Sequence, residues 1–163
     1  MKDAYEPHLL QALKAEAITH KTVIQSLWSG YGEIVRVGLS GAEVPSAIVK
    51  NIAFPSQENH PRGWNTNTSH ERKVKSYEVE FHWYAHYAHR CNASCRVPKY
   101  YISQQTDDLH FMAIEDLDAS GYPLRKSTLS KQEVMLCLKW LANFHATFMG
   151  EAPKDLWETG TYW

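Results

Sequence analysis

Apolar positions along the chain follow two periods, and the switches between them mark its elements. Leu9, Leu10, Leu13 and Ala17 recur at helical spacing and predict a helix near the start. TVIQSLW, at 22–28, reads as a strand. Gly30 and Gly32 then precede the alternating Ile34, Val35 and Val37, with Gly38 and Gly41 after them, a pattern that predicts a hairpin with a flexible tip. AIVKNIAF, at 47–54, alternates Ala47, Val49 and Ala53 with Ile48, Lys50 and Ile52, as expected of a strand with apolar groups on both faces. PSQENHPRGWNTNTSH, at 55–70, carries two prolines, a glycine and many Asn, Ser and Thr residues, and predicts a long loop.

Helical spacing returns over 71–89, where Tyr77, Glu80, Phe81, Tyr84, Ala85 and Ala88 share a stripe. VPKYYISQQ and LHFMAIEDL predict two strands around a turn at Asp107 and Asp108, and SGYPL breaks the chain. Ser130 and Glu133 form an S-x-x-E capping box ahead of Val134, Leu138, Leu141, His145 and Phe148, which predicts a last helix. There is no internal repeat. The predicted fold is α+β: a small antiparallel sheet with one long helix in its middle and another at its end.

Two charges interrupt this pattern. Lys50 shares a strand face with Ile48 and Ile52; either its stem lies on apolar surface with its ammonium in water, or it meets a carboxylate and an anion. Glu80 sits three residues after Tyr77 and four before Tyr84. It is either on a solvated edge or faces the sheet, and a carboxylate facing a core needs a partner. If it faces the sheet, Lys50 on the preceding strand is the natural cation.

Composition narrows the choice of ligand. With 17 Lys and Arg against 18 Asp and Glu in 163 residues, there is no basic field to hold a nucleic acid or an anionic membrane, so an anionic ligand has to be held locally. A content of 44% hydrophobic residues suits a single globular unit. MKDAYEPHLLQALKAEA scatters charges through its length, so neither a signal peptide nor a membrane span is expected. Three cysteines, an odd number, make no disulfide framework and suit a reducing, cytoplasmic compartment.

The order SGYGEIVRV, AIVK, SYEVEFHWYAHYA, CRVPK, FMAIEDL and LANFHATF resembles the amino-terminal lobe of the protein-kinase-like small-molecule phosphotransferases, the group of choline kinases and aminoglycoside phosphotransferases. The Y-x-V-E-x-x-x-Y helix followed by C-x-V-P is most similar to the ecdysteroid-kinase-like branch. The resemblance covers roughly residues 22–149. It implies ATP as cofactor, with Lys50 on the phosphates and Glu80 orienting it. Gly30, Tyr31 and Gly32 would form the loop over the phosphates. The backbone C=O of Glu115 and N–H of Leu117 would meet the adenine edge at a hinge, with Met112 and Ile114 as apolar walls. On this basis residues 1–114 are the nucleotide-binding lobe, 115–128 a hinge and linker, and 129–163 the start of a second lobe.

The same resemblance implies a catalytic aspartate in an H-G-D-x-x-x-x-N type loop and a further aspartate for Mg2+. Neither motif occurs among these residues, so the catalytic groups and magnesium ligands are expected in a further lobe. The expected activity of the whole is phosphoryl transfer to a hydroxyl of a small molecule. Two other classes stay open: a non-catalytic nucleotide-binding or regulatory module, and a metal-binding domain using His82, His86, His89, Cys91 and Cys95. His145, on the last apolar stripe, is expected to be a core histidine.

Overall fold

The computed structural model describes residues 3–27, 30–54 and 67–158. Most of the predicted loop at 55–70, the last residue of the predicted strand at 22–28 with residue 29 after it, and residues 159–163 lie outside the described residues.

The first helix, α1 (Glu6–Leu13), is shorter than its apolar stripe suggests. Lys14 takes a left-handed conformation at φ 51° and ends it, and the Glu16 N–H already bonds the Ser40 carbonyl at 2.8 Å. Ala17 therefore opens β1 (Ala17–Ser26) rather than closing the helix. Almost every residue of β1, one of the two edge strands, is exposed. The Lys21 ammonium on this edge is held by Asp3 at 2.7 Å and Glu6 at 2.6 Å, which tethers α1 to it and places charge where another strand could otherwise add.

Four further strands complete an antiparallel sheet in the order β1-β2-β3-β5-β4: β2 (Gly32–Ser40), β3 (Ser46–Ile52), β4 (Tyr100–Gln105) and β5 (His110–Glu115). The first three form a meander, and β3 is central. One glycine is obligatory at the entry to β2. Gly32 has φ +121°, and a Cβ there would lie 2.1 Å from the Asn51 carbonyl oxygen on β3, so the two strands approach as closely as they do only without a side chain.

Both faces of the sheet are covered. On one, Val35, Val37, Ala47, Val49, Phe111 and Ala113 pack against Leu9 of α1 and Tyr5 just before it. On the other, Ile52 and Met112 pack against Tyr77 and Phe81 of α2 (Asn67–His86), together with Leu27 and Tyr31 from the β1–β2 turn. Alternation within β3 thus assigns Val49 to the α1 face and Lys50 to the α2 face.

Helix α2 begins at Asn67, within the stretch predicted as loop, and its regular part ends at His86. Short 3-10 turns at Ala88–Arg90 and Ala93–Cys95 lead to β4. The last helix, α3 (Lys131–Phe148), starts as its capping box predicts: the Ser130 hydroxyl accepts from the Glu133 N–H, and the Glu133 carboxylate accepts from the Ser130 N–H. It docks through an aromatic seam. Phe144 lies 5.8 Å from Trp83 and 5.2 Å from Trp140 between ring centres, and the Trp140 indole donates to the Arg96 carbonyl at 2.9 Å. Its other flank is open: Val134, Met135, Leu136 and Leu138 are exposed, and no residue of α3 is buried. His145 is exposed as well and is not a core histidine, because the seam turns that flank outward. Among the described residues no helix is long and apolar enough to cross a membrane.

Candidate functional site

Lys50 stands in the middle of the central strand, with Ile34 of β2 and Met112 of β5 opposite it in register. Its ammonium reaches across the sheet surface to α2 and donates to Glu80. The pairing expected from the two interrupted stripes is therefore present. Lys50 is mostly buried, at 17% exposure, while Glu80 at 36% keeps access to solvent. Helical spacing brings Lys73, Tyr77, Glu80 and Tyr84 onto one flank of α2. The Lys50 ammonium also lies over the Tyr77 ring, 4.7 Å from its centre.

Leu27 and Tyr31, at the two sides of the β1–β2 turn, pack against α2 at Tyr77. Gly30 has φ +76°, and the Leu27 N–H bonds the Gly32 carbonyl at 2.8 Å to close the turn. Tyr31 is turned inward rather than outward. It is 5% exposed, and its hydroxyl makes a 2.8 Å hydrogen bond with Nδ1 of His70 in the first turns of α2. Met112 is 1% exposed beneath Tyr77 and Phe81, so it supports the site from within the core rather than facing a ligand. Ile114 remains half-buried on the open part of the face.

From the Lys50–Met112 row to the Ala47–Glu115 row the register advances three residues, about 10 Å along the strands. Between these ends the same face carries Ile48 and Ile114 in register, with Ile34 beside Lys50. Ile34 and Ile48 are half-buried apolar groups that complete a flat wall from Lys50 to the end of β5. Sequence reasoning did not single them out as site residues, although the period of two that placed Lys50 also places them.

The segment after β5 is held by a charge network that the sequence did not reveal. Asp116 is 3% exposed and takes both Nε (2.6 Å) and Nη2 (3.1 Å) of Arg36, the Ser46 hydroxyl (2.7 Å) and the Asp118 N–H (3.1 Å). Burial alone would raise the Asp116 pKa, but the hydrogen bonds from Arg36 and Ser46 outweigh it and hold the carboxyl below its ordinary value. Glu115 is gripped by Arg96 at 2.6 Å and by the Lys99 N–H at 3.0 Å; burial opposes its ionisation, and these donors with the Ser120 hydroxyl again bring its pKa down. The Arg36 guanidinium continues to Asp118 at 2.5 Å, which also accepts from Arg125 at 2.5 Å.

Glu115 ends the sheet ladder, and its own N–H bonds the Lys99 carbonyl at 2.8 Å. Among the described residues the Leu117 N–H meets no acceptor. The segment is thus a connector beyond the sheet. Hollows among the described residues include one of about 590 Å3 between the start of β2, the end of β3 and the β4–β5 turn, one of about 410 Å3 between α2 and the β4–β5 turn, and one of about 400 Å3 that Glu80 lines together with Pro153, Leu156 and Trp157.

The histidine and cysteine cluster does not converge. The His82 and His86 rings lie 4.3 Å apart on α2, whereas Cys95 is buried in the α3 seam with its sulfur 3.5 Å from the Thr147 hydroxyl. Among the described residues no group of three or more His, Cys, Asp or Glu side chains is placed to hold a metal ion.

A mixed α/β unit whose five-stranded antiparallel sheet carries a lysine paired to a helix glutamate is compatible with the amino-terminal lobe of a kinase-like protein. The family model of the ecdysteroid kinase-like family matches residues 46–154, more than half of the chain, and the chain belongs to that family. The matched span contains Lys50, Glu80 and the 115–117 connector, while Gly30–Gly32 precede it. No curated protein and no solved structure matches the chain significantly.

Proposed function

We propose that this chain is the nucleotide-binding lobe of an ATP-dependent phosphotransferase that acts on a hydroxyl of a small molecule. The observation that carries the reading is the Lys50–Glu80 pair at one end of a half-buried isoleucine wall, with an uncommitted backbone N–H at the other. The span between them suits a nucleoside and its first phosphate. Glu80 keeps Lys50 charged and aimed, and Lys50 neutralises phosphate oxygens. Ile34, Ile48 and Ile114 exclude water from an adenine face, and the Leu117 N–H and Glu115 C=O meet its edge. The β1–β2 turn closes over the phosphates. ATP supplies the phosphoryl group, and Mg2+ screens its charge through ligands outside these residues. The free thiols Cys91, Cys95 and Cys137 suit work in the cytoplasm.

The test is calorimetric titration of the purified chain with ATP and Mg2+, beside Lys50→Met. Saturable binding that weakens at least about tenfold in the variant supports the reading; no binding to the wild-type chain removes it. Since no residue matches the catalytic aspartate loop, the 163-residue chain is expected to bind without turnover. Phosphorylation of a small alcohol by the chain would show that the chemistry has been misplaced.

A further inference from the structure

Between α2 and β4 the chain makes two tight turns in succession, and a thiol ends each. Cys91 follows the turn at Ala88–Arg90, and its N–H donates to the Ala88 carbonyl at 3.0 Å. Cys95 closes the turn at Ala93–Cys95, with its N–H on the Asn92 carbonyl at 3.1 Å, while the Asn92 side chain accepts from the Ser94 N–H at 2.8 Å. These bonds shape the C-x-x-x-C segment so that its two thiols hydrogen-bond to one another. Cys91 is half-buried, and Cys95 is wholly buried.

The pair lies in the joint that holds α3. The Cys95 sulfur meets the Thr147 hydroxyl at 3.5 Å, Arg90 donates to the Thr147 carbonyl at 3.3 Å and to Glu151, and the Arg96 carbonyl receives the Trp140 indole. The Thr147 hydroxyl, with the Asn92 N–H and the Cys91 thiol, lowers the Cys95 pKa against the opposing effect of burial. Burial and the neighbouring Cys95 push the Cys91 thiol up to about 11. The first proton thus leaves the pair more easily than it would leave an isolated thiol, and the second is retained between the sulfurs.

We propose that Cys91 and Cys95 are a reversible dithiol–disulfide pair, oxidised by hydrogen peroxide, that sets the grip on α3. The role is separate from nucleotide binding. Once one proton has been lost, the remaining one passes to Cys95, and the Cys91 sulfur, which has access to solvent, attacks a peroxide oxygen. The O–O bond breaks, giving a sulfenic acid on Cys91 and hydroxide, which takes up the proton first lost. Cys95 then attacks the sulfenic sulfur; the S–O bond breaks, and the oxygen leaves as water with the Cys95 proton. Two thiols are oxidised to one disulfide and one peroxide is reduced to two waters. The disulfide offers Thr147 neither an S–H nor a negative charge, so that contact weakens. A small thiol reverses the step by exchange.

The test uses the full chain carrying Cys137→Ser, which removes the exposed third thiol, treated with hydrogen peroxide and cleaved with trypsin. The peptide 91–96 holds both cysteines. It is expected to lose two hydrogens in mass, to resist alkylation and to recover with dithiothreitol. The disulfide should form at least about tenfold faster in the folded chain than in urea, because the fold brings the sulfurs together in advance. Amide exchange over 143–149 should be faster in the oxidised chain than in the reduced one. Added oxygen on Cys91 with Cys95 still open to alkylation, or a disulfide that forms no faster than in urea, would overturn the proposal. So would unchanged amide exchange in α3 once the disulfide has formed.

Discussion

Arg36 on β2 and Asp116 beyond β5 are eighty residues apart in sequence and are joined by two hydrogen bonds, with the carboxylate almost wholly buried. The contact fastens the connector to the far side of the central strand. Removing the carboxylate leaves Arg36 with Asp118 alone and strips the buried Ser46 hydroxyl of its acceptor. Asp116→Ala is therefore expected to destabilise the chain by about 3 kcal/mol, measured by urea denaturation at pH 7; a loss below about 1 kcal/mol would show that the network is ornamental.

The same cluster sets an acid limit. Asp116, Glu115 and Asp118 all have pKa values below the ordinary carboxylate range. Their pairing stabilises the fold fully above about pH 4 and is lost as pH falls through the lowered values. Unfolding free energy should accordingly drop on acidification below about pH 4, and less steeply in Asp116→Asn. Parallel curves for the two proteins would show that the acid sensitivity arises elsewhere.

Lys50 and Glu80 should couple measurably. A double-mutant cycle with Lys50→Met and Glu80→Gln is expected to give an interaction of about 1 kcal/mol in unliganded stability, because Glu80 is only partly withdrawn from water. Strict additivity would mean that the contact contributes nothing in solution.

Two glycines separate backbone from side-chain crowding. At Gly32 a Cβ would meet the Asn51 carbonyl in a conformation that L residues rarely adopt, whereas at Gly38 it would meet the imidazole of His20, on the exposed β1. Gly32→Ala should cost at least about 2 kcal/mol and Gly38→Ala clearly less, since a surface imidazole can rotate away. Thermal melts of both variants decide it, and a reversed order would be inconsistent with this strand pairing.

The open flank of α3 should make the chain associate. Sedimentation velocity at increasing concentration is expected to show self-association that Leu136→Lys with Leu138→Lys suppresses. A monomer at every concentration in both proteins would count against it.

What could be read from the sequence was whatever a local period carries. Lys50 and Glu80 stood out because each breaks an apolar stripe, and the start of α3 was visible in Ser130 and Glu133. The extent of β1 was not, because an edge strand exposed along nearly all its length shows no alternation. Nor was the start of α2, whose first residues are polar and resemble loop. Nothing in the local period marks Asp116, at a strand exit, as buried; its burial depends on Arg36, a partner set by the order of strands rather than by spacing. His145 misled in the opposite sense, since an apolar stripe at helical spacing does not say which part of it finds a neighbour.

The central place of Lys50 has a consequence for how the chain finds its fold. Strand β3 is apolar on both sides, so hydrophobicity alone discriminates poorly between its register and one slipped by a single residue. Such a slip would drive the ammonium into the layer of Tyr5, Leu9, Val35 and Phe111 and strand Glu80 without a counter-charge. The residue proposed to hold phosphate thus also acts as an index mark for strand alignment. Replacing it by an apolar side chain should widen the set of pairings the nascent sheet can try before it settles.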